Sequence, residues 1–255
     1  MKKQVWKISA KVLALILASL PAQAEEVAVV VSNNFRAVME GLAPQFEKTS
    51  GHKLVITYGS TNPLKARIEK GEAFDFAILS SVTIDDLIKR DRLVATTRAA
   101  IARTGMGVAI RNGAPRPNIN TTEDFKRALI DAKSIAFLEQ GLTGVYLKGL
   151  FQRLGIAEVL KSKIKYIRPS EAVAEGEAEI GITQISEILP VAGVELAGPL
   201  PSEIQSYATI AAAIGSNAKQ ADAAKVLLIY LGSPNAASVI KANGMEPTTT
   251  KPSGQ

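Results

Sequence analysis

The stretch VAVVVSNNFRAVMEGLAPQF, residues 27–46, decides the fold. Its first part, Val27–Val31, is apolar without interruption, which is typical of a strand buried on both faces of a sheet. The polar triplet 32–34 ends that run. After Arg36, apolar side chains recur at the spacing of one helix face: Val38, Met39, Leu42 and Phe46. The stretch therefore predicts a buried strand, a polar loop and an amphipathic helix.

The same alternation continues along the chain. Strands are predicted at 53–58 and 74–79, each followed by a helix, and this βαβαβα order favours a parallel sheet with helices on its faces. The pattern restarts after residue 103, with further strands predicted at 105–110, 134–137, 164–167, 180–182 and 209–214. Two α/β units in one chain predict two lobes with a cleft between them. Ligands of such sheets bind beyond the carboxyl ends of the strands.

The first residues have the pattern of a signal peptide, predicted as residues 1–24. Four lysines precede an apolar run at Val12–Leu20, and the small-residue box Ala22–Ala24 follows it. The run is shorter than the roughly 20 apolar residues that span a bilayer, which argues against a membrane anchor. No Cys follows it, which argues against a lipid anchor. We therefore expect Glu25 as the new N-terminus and export to the periplasm.

Composition excludes several classes of function. The chain has 30 basic and 24 acidic residues, and four of the lysines lie in residues 1–24, which contain no acid, so 26 basic residues face 24 acidic ones beyond that segment. No basic cluster accompanies the 5% of aromatic residues, so no nucleic-acid partner is expected. With no Cys and only His52, no metal site or cofactor is expected. His52 is predicted on the surface, at the end of the sheet away from the cleft.

Small polar residues follow several of the predicted strands. Helix N-termini with free backbone N–H groups and Ser, Thr or Asn side chains bind anions. The same residue types are also the usual N-caps of helices, so ordinary capping stays open as the alternative. The candidate anion-binding residues in these loops are Asn33, Asn34, Ser60, Thr61, Thr143 and Gln184.

Charged and aromatic candidates are fewer. Arg168 ends a predicted strand and could clamp a carboxylate with its planar guanidinium, or be an ordinary surface arginine. Ser170 is expected to cap the helix that follows. Glu139 and Glu203 lie in loops near the predicted cleft, where each is either a solvated charge or a base. Tyr207 precedes the strand at 209–214, where the chain is expected to cross back between the lobes.

At these loops the sequence resembles the periplasmic molybdate-binding-protein family. The resemblance covers nearly the whole chain beyond residue 24, and its order and spacing agree throughout. It is carried by five segments: VVVSNNFRAVMEGLAPQF (29–46), GHKLVITYGSTNPLKARIEKG (51–71), FDFAILS (74–80), LTGVYLKGLFQRLG (142–155) and IGITQISEI (180–188). It implies an α/β fold of the two-lobed type II periplasmic binding protein class, with two crossovers. Lobe 1 is expected to comprise residues 25–102 and 204–255, and lobe 2 residues 103–203.

The resemblance also implies where the ligand binds. The family's two cleft serines fall at Asn34 and at Thr61, its helix-start amide at Thr143, and its cleft tyrosine at Gln184. The polar loops are thus kept while their side chains differ. Because molybdate is a compact tetrahedral dianion, these changes, together with Arg168, favour a larger and flatter anion such as a carboxylate.

Two segments, Gly198–Tyr207 (GPLPSEIQSY) and 142–156, resemble a branch of the family similar to periplasmic aconitate isomerase. That likeness implies interconversion of trans- and cis-aconitate by an allylic proton shift, with no cofactor. Glu139, Glu203 and Tyr207 are its open candidates for the acid–base group. The alternative is a passive solute-binding subunit of an ABC importer, with a permease as partner. A sensory or scaffold module is the third option. No coiled coil or repeat is visible, so a monomer is expected.

Overall fold

The computed structural model describes residues 24–248. The predicted signal peptide, except Ala24, lies outside the described residues. Within them no single helix is long and apolar enough to cross a membrane; one pair, 221–231 and 234–242, reaches that length and composition only when taken together across a 65° bend.

Strands and helices alternate over the described residues. The strands are β1 (Glu26–Ser32), β2 (Lys53–Gly59), β3 (Phe76–Ser80), β4 (Ala99–Arg111), β5 (Ile135–Ala136), β6 (Ile164–Lys165), β7 (Ile180–Gln184), β8 (Val194–Pro199), β9 (Tyr207–Ile214) and β10 (Glu246–Pro247). The helices are α1 (Arg36–Ser50), α2 (Thr61–Glu69), α3 (Ser81–Lys89), α4 (Thr122–Asp131), α5 (Gly141–Arg153), α6 (Ala157–Leu160), α7 (Pro169–Glu175), α8 (Ile185–Ile188), α9 (Ala221–Leu231) and α10 (Pro234–Ala242). Short 3-10 turns occupy Asn33–Phe35, Ala95–Thr97 and Ser202–Ile204.

The sheet is mixed, in the order β2-β1-β3-β9-β4-β7-β5-β6. The predicted parallel arrangement holds for β1, β2 and β3, with Val29 opposite both Ile56 and Phe76. β9 runs antiparallel between β3 and β4. It does so because the chain returns to lobe 1 from the edge at which β3 ends.

β4 is longer than the strand predicted at 105–110 and is shared by two parts of the sheet. Its first half, Ala99–Gly105, pairs with β9. From Met106 onward it pairs with β7 and β8. Its neighbour β9 begins at Tyr207, opposite Gly105, so both strands pass the same level of the sheet. This level is where the chain crosses between the lobes.

Buried side chains form separate groups on the two sides of this crossing. Residues 27–102 and 210–245 supply one pair of apolar clusters, and residues 106–204 supply another. The first includes the helix face that the sequence predicts: Val38, Met39, Leu42 and Phe46. The lobe boundaries at 102/103 and 203/204 stay a prediction.

A buried carboxylate ties the two segments of lobe 1 together. One oxygen of Asp75 accepts a hydrogen bond from the Ala28 N–H at 2.8 Å. The other accepts from the N–H groups of Lys219 at 2.7 Å and Gln220 at 3.0 Å, at the start of α9. Since a buried carboxylate needs such donors, Asp75 fixes the returning segment against β1.

Candidate functional site

The carboxyl ends of the strands in the two lobes face each other across the crossing. Ser80, which ends β3, lies opposite Ile210, and Ile210 lies opposite Ala102 of β4. Gln184, which ends β7, lies opposite Met106 of the same strand. Ala102 and Met106 are four positions apart along β4, so the two strand ends are separated by roughly 14 Å at about 3.4 Å per residue. The predicted cleft is this gap.

In the first loop of lobe 1, which follows β1, the polar side chains form hydrogen bonds with one another and with Arg36. Ser32 occupies the N-cap position of the 33–35 turn but makes no capping hydrogen bond. Its hydroxyl instead donates to Asn34 Oδ1 at 2.6 Å. Asn33 Oδ1 accepts a hydrogen bond from Arg36 at 3.2 Å. The helix-start N–H groups here are thus left without a side-chain cap.

The second lobe-1 loop has the same property. Ser60 is exposed at the N-cap of α2 and makes no side-chain capping bond, and Thr61 begins the helix. Caps in other parts of the molecule do bond: Thr121 accepts from the Asp124 N–H at 3.1 Å, and Ser233 from the Ala236 N–H at 3.2 Å. Capping therefore does not account for the hydroxyl of Ser60.

Lobe 2 presents the N-terminus of α5 at the same edge. Thr143 lies in its first turn, behind the left-handed Gly141 at φ 88°. A Cβ on Gly144 would stand only 2.1 Å from the carbonyl oxygen of Glu139. The loop before α5 thus passes directly over the first turn of the helix, and only glycine at 144 permits that approach.

Gln184 and Ser186 lie where the lobes meet. Gln184 Oε1 and Ser186 Oγ are buried and have no hydrogen-bond partner among the described residues. The Ser186 N–H donates to the buried Thr104 Oγ1 at 3.3 Å. Cα atoms of α8 come within 8 Å of the 33–35 turn. This places Asn33 and Asn34 in the same region as Gln184, the residue just before α8.

Two arginines flank this region, and the sequence pointed to only one. Arg168 forms the N-cap of α7, is 77% exposed at its side chain and lies 3.3 Å from Glu171. Arg36, at the start of α1, was missed. Its guanidinium lies 4.2 Å from the centre of the Tyr58 ring, donates to Asn33 Oδ1 at 3.2 Å and lies 3.8 Å from a carboxylate oxygen of Glu40. The signal for Arg36 was its position two residues after the polar triplet 32–34.

The three candidate acid–base residues are not grouped by any contact among the described residues. Glu139 is exposed and lies 3.6 Å from Lys148. Glu203 is exposed in the 202–204 turn. Tyr207 is 48% exposed, and the guanidinium of Arg103 lies 4.4 Å from its ring centre. Tyr207 begins β9 at the crossing. Glu139 lies in the loop before α5, and Glu203 lies in the turn that precedes β9.

A further candidate acid–base group, Glu187 on α8, was not predicted from the sequence. Thr183 donates a hydrogen bond to its carboxylate. Burial raises the pKa of Glu187, with a smaller raising effect from Glu171, and the Thr183 hydroxyl and Arg168 act in the lowering direction. The expected capping role of Ser170 is wrong, because Arg168 is the N-cap of α7. Ser170 is buried and donates to the Glu187 carbonyl at 2.9 Å.

Some features lie away from the cleft. His52 sits between α1 and β2, where its Nδ1 accepts from the Glu25 N–H at 3.3 Å, at the opposite end of the sheet. A cavity of about 380 Å³ lies at the far end of lobe 2, lined in part by Pro115, Arg127 and Glu179. Among residues 24–248, no group of three or more His, Cys, Asp and Glu residues could hold a metal ion.

A mixed sheet that the chain crosses twice, with strand ends of both lobes meeting at the crossing, defines the class of type II periplasmic solute-binding proteins, as predicted. The chain belongs to the family of bacterial extracellular solute-binding proteins, whose model matches residues 27–246.

Two relatives and one solved structure show which individual proteins the chain is similar to. The chain is 31% identical over 253 residues to an aconitate isomerase of a Pseudomonas species, covering 94% of this chain and 96% of that protein. It is 30% identical to the molybdate-binding protein ModA of Azotobacter vinelandii, covering 89% and 92%. The solved periplasmic molybdate-binding protein of the same organism superposes with a TM-score of 0.69 at 21% identity, covering 86% of this chain and 98% of that one. The predicted resemblance to the molybdate-binding-protein family is confirmed.

Proposed function

We propose that this protein closes on a small polycarboxylate in the periplasm and interconverts trans- and cis-aconitate. The observation that carries the proposal is the match to an aconitate isomerase, which spans both chains almost from end to end. The site supports it independently. Its loops carry neutral amides and hydroxyls, Arg36 lies beside the first of them, and guanidinium groups pair with carboxylates in a bidentate manner.

The proposed ligand contacts come from both lobes. Lobe 1 supplies the loops after β1 and β2, with Arg36 beside them, and lobe 2 supplies the first turn of α5 and the end of β7. Closure would surround the ligand and exclude water. The side chains proposed to bind it are Asn33, Asn34, Ser60, Thr61, Thr143, Arg168 and Gln184, together with Arg36.

The reaction needs positioning and one proton transfer. A base removes a proton from the methylene carbon, the double bond moves by one position, and a proton is added to the former vinyl carbon. Charge that develops on the adjacent carboxylate is stabilised by N–H and guanidinium donors. The reaction is balanced in atoms and electrons, because the substrate loses one proton, gains one proton and keeps all its electrons. No cofactor is required.

A second candidate function is a solute-binding subunit of an ABC importer, with a membrane permease as partner. The observation in its favour is the 30% identity to ModA at nearly the same coverage as the isomerase match. Under this proposal the same cleft binds a carboxylate, or an oxyanion such as molybdate or tungstate, and releases it unchanged.

The deciding experiment uses the full chain expressed in a bacterial host and recovered from the periplasmic fraction. Its intact mass tests cleavage before Glu25. The protein is then incubated with trans-aconitate in D2O and followed by proton NMR. Appearance of cis-aconitate supports the isomerase. Line broadening without turnover supports the binding subunit. If neither occurs, titration with molybdate and tungstate tests the remaining ligands.

A further inference from the structure

The carboxyl group of Glu187 lies at the cleft edge of lobe 2, between the end of β7 and the start of α7. It belongs to the first turn of α8, which directly follows Gln184. Thr183 of β7 donates to it, and Ser170 of α7 holds its backbone carbonyl. α7 starts just beyond β6, which runs parallel to β5 and β7, so its first turn lies at the same edge.

The surroundings of this carboxyl group differ from those of the other candidates. Glu139 is paired with Lys148, and Glu203 is exposed. Glu187 is partly buried, and the nearby Arg168 pairs with Glu171 rather than with it. Withdrawal from water disfavours the ionised form of a carboxylate and makes that form a stronger base, which suits a general acid–base group.

A purely structural role explains these contacts less well. A carboxylate placed to stabilise a helix start would be expected to bond backbone N–H groups or a cation, as Asp75 does with three N–H groups. Glu187 instead bonds the Thr183 side chain, and the preceding residues Gln184 and Ser186 each carry a buried polar atom that has no partner among the described residues.

We propose that Glu187 is the acid–base group that carries the proton in the isomerisation, an inference that rests on the proposed function. The ionised carboxylate takes the proton from the methylene carbon and becomes a neutral acid. The electron pair of the broken C–H bond forms the new double bond, and the old double bond accepts the proton back from Glu187 at its far carbon. Glu187 ends ionised, as it began, and Thr183 positions it throughout.

The test compares wild type with Glu187→Gln, which keeps an oxygen that can accept from Thr183. Turnover is measured by NMR and trans-aconitate binding by calorimetry. We expect kcat to fall by about 10²–10⁴-fold in Glu187→Gln, the usual contribution of a general acid–base group, with Kd changed by less than about threefold. Glu158→Gln, which removes an exposed carboxylate of α6, is the matched control and should retain wild-type turnover.

The outcomes separate the two proposals. If wild type binds aconitate without turnover, the isomerase proposal fails, and this inference with it. If wild type turns over and Glu187→Gln does too, only the assignment of Glu187 is wrong. In that case Glu139→Gln, Glu203→Gln and Tyr207→Phe identify the group that does act.

A second measurement covers the case in which Glu187→Gln does not fold. Thr183→Val removes the hydroxyl that donates to the carboxylate, while Arg168 at the N-cap of α7 and Glu171 in its first turn still act on it. Because this hydroxyl favours the ionised form, its loss should move the acidic limb of kcat/KM to higher pH. A limb that stays at the wild-type pH in Thr183→Val would overturn the assignment.

Discussion

The side-chain amide of Gln205 forms hydrogen bonds with both backbone groups of Met106. Its Oε1 accepts from the Met106 N–H at 2.7 Å, and its Nε2 donates to the Met106 carbonyl at 3.0 Å. The same Nε2 lies 3.3 Å from the Leu200 carbonyl, and Oε1 also accepts from the Ser206 N–H at 2.9 Å. Gln205 therefore acts as a strand partner for β4 at Met106, one residue beyond Gly105, where the pairing of β4 with β9 ends.

Replacing this amide should destabilise the fold. In Gln205→Leu these side-chain hydrogen bonds are lost, while the Met106 N–H still donates to the Ser206 carbonyl at 3.2 Å and the Met106 carbonyl still accepts from the Leu200 N–H at 3.0 Å. Each lost hydrogen bond contributes about 0.5–1.5 kcal/mol. We expect the free energy of unfolding, measured by urea denaturation, to fall by about 2–3 kcal/mol. Gln152→Leu, at an exposed position of α5, should change it by no more than about 0.5 kcal/mol. Equal stabilities for the two variants would show that Gln205 does not hold the crossing.

Arg36 should contribute to the recognition of carboxylates. Arg36→Gln removes the guanidinium held between Tyr58 and Asn33, and a lost charge-assisted hydrogen bond costs about 1.5–3 kcal/mol. We expect the Kd for trans-aconitate, measured by calorimetry, to rise by about 10- to 100-fold.

The control for Arg36 is Arg153→Gln. Arg153 also lies over an aromatic ring, 5.7 Å from the centre of Tyr146, but at the far end of α5. It should leave the affinity unchanged. The idea would be wrong if both substitutions weakened binding equally, or if neither did.

Gly144 should tolerate no side chain. A Cβ at this position would lie 2.1 Å from the Glu139 carbonyl oxygen, so Gly144→Ala must displace the loop over α5. We expect a loss of about 1–3 kcal/mol in the free energy of unfolding, as for other overpacked sites, and weaker ligand binding. Gly149→Ala in the same helix meets no atom closer than Arg153 at 3.6 Å and should stabilise the protein by about 0.5–1 kcal/mol. Thermal and urea unfolding of both variants check the opposite signs.

The stability of the protein should depend on pH through Glu187. Its pKa in the folded state is raised above the ordinary value of 4.5. The folded protein therefore retains a proton that the unfolded chain releases, and the free energy of unfolding falls as pH rises from about 4.5 towards the raised pKa. Glu187→Gln lacks this component.

The pH effect is measured by urea denaturation of wild type and Glu187→Gln at several pH values from 4 upward. The variant should gain stability relative to wild type across the window and keep that advantage above it. Glu158→Gln, whose carboxylate is exposed, is the control. A difference between wild type and Glu187→Gln that did not vary with pH would contradict the prediction.

The sequence predicts the first unit of the fold well, because local pattern and burial agree there. Val27–Val31 and the helix face after Arg36 are strongly periodic, and both lie in the core. β4 was predicted too short because its first half, Ala99–Gly105, mixes small residues with Arg103 and shows no clear alternation. β8, which ends in Gly198 and Pro199, carried turn residues and was not predicted at all.

The site was predicted in part, for a physical reason. Loops that follow strands can be located from local pattern, so the polar residues of the cleft edge could be named. The roles of Arg36 and Glu187 depend on partners that the fold supplies: Tyr58 lies 22 positions from Arg36, and Ser170 lies 17 from Glu187. Of the contacts of Glu187 described above, only the one with Thr183 is close in sequence, four positions away.

The position of β9 between β3 and β4 also sets the order in which the molecule can be assembled. Lobe 1 has its central strand near the end of the chain, and its core includes residues as late as Met245. The apolar clusters of lobe 2 come from residues 106–204 alone. During synthesis lobe 2 can therefore fold first. The apolar faces of β1–β3 remain uncovered until more than a hundred further residues have been made, because β9 begins only at Tyr207. Lobe 1 begins first and finishes folding last. Until nearly the whole chain has been synthesised, lobe 1 is therefore unfolded and can bind chaperones or pass through a translocation channel.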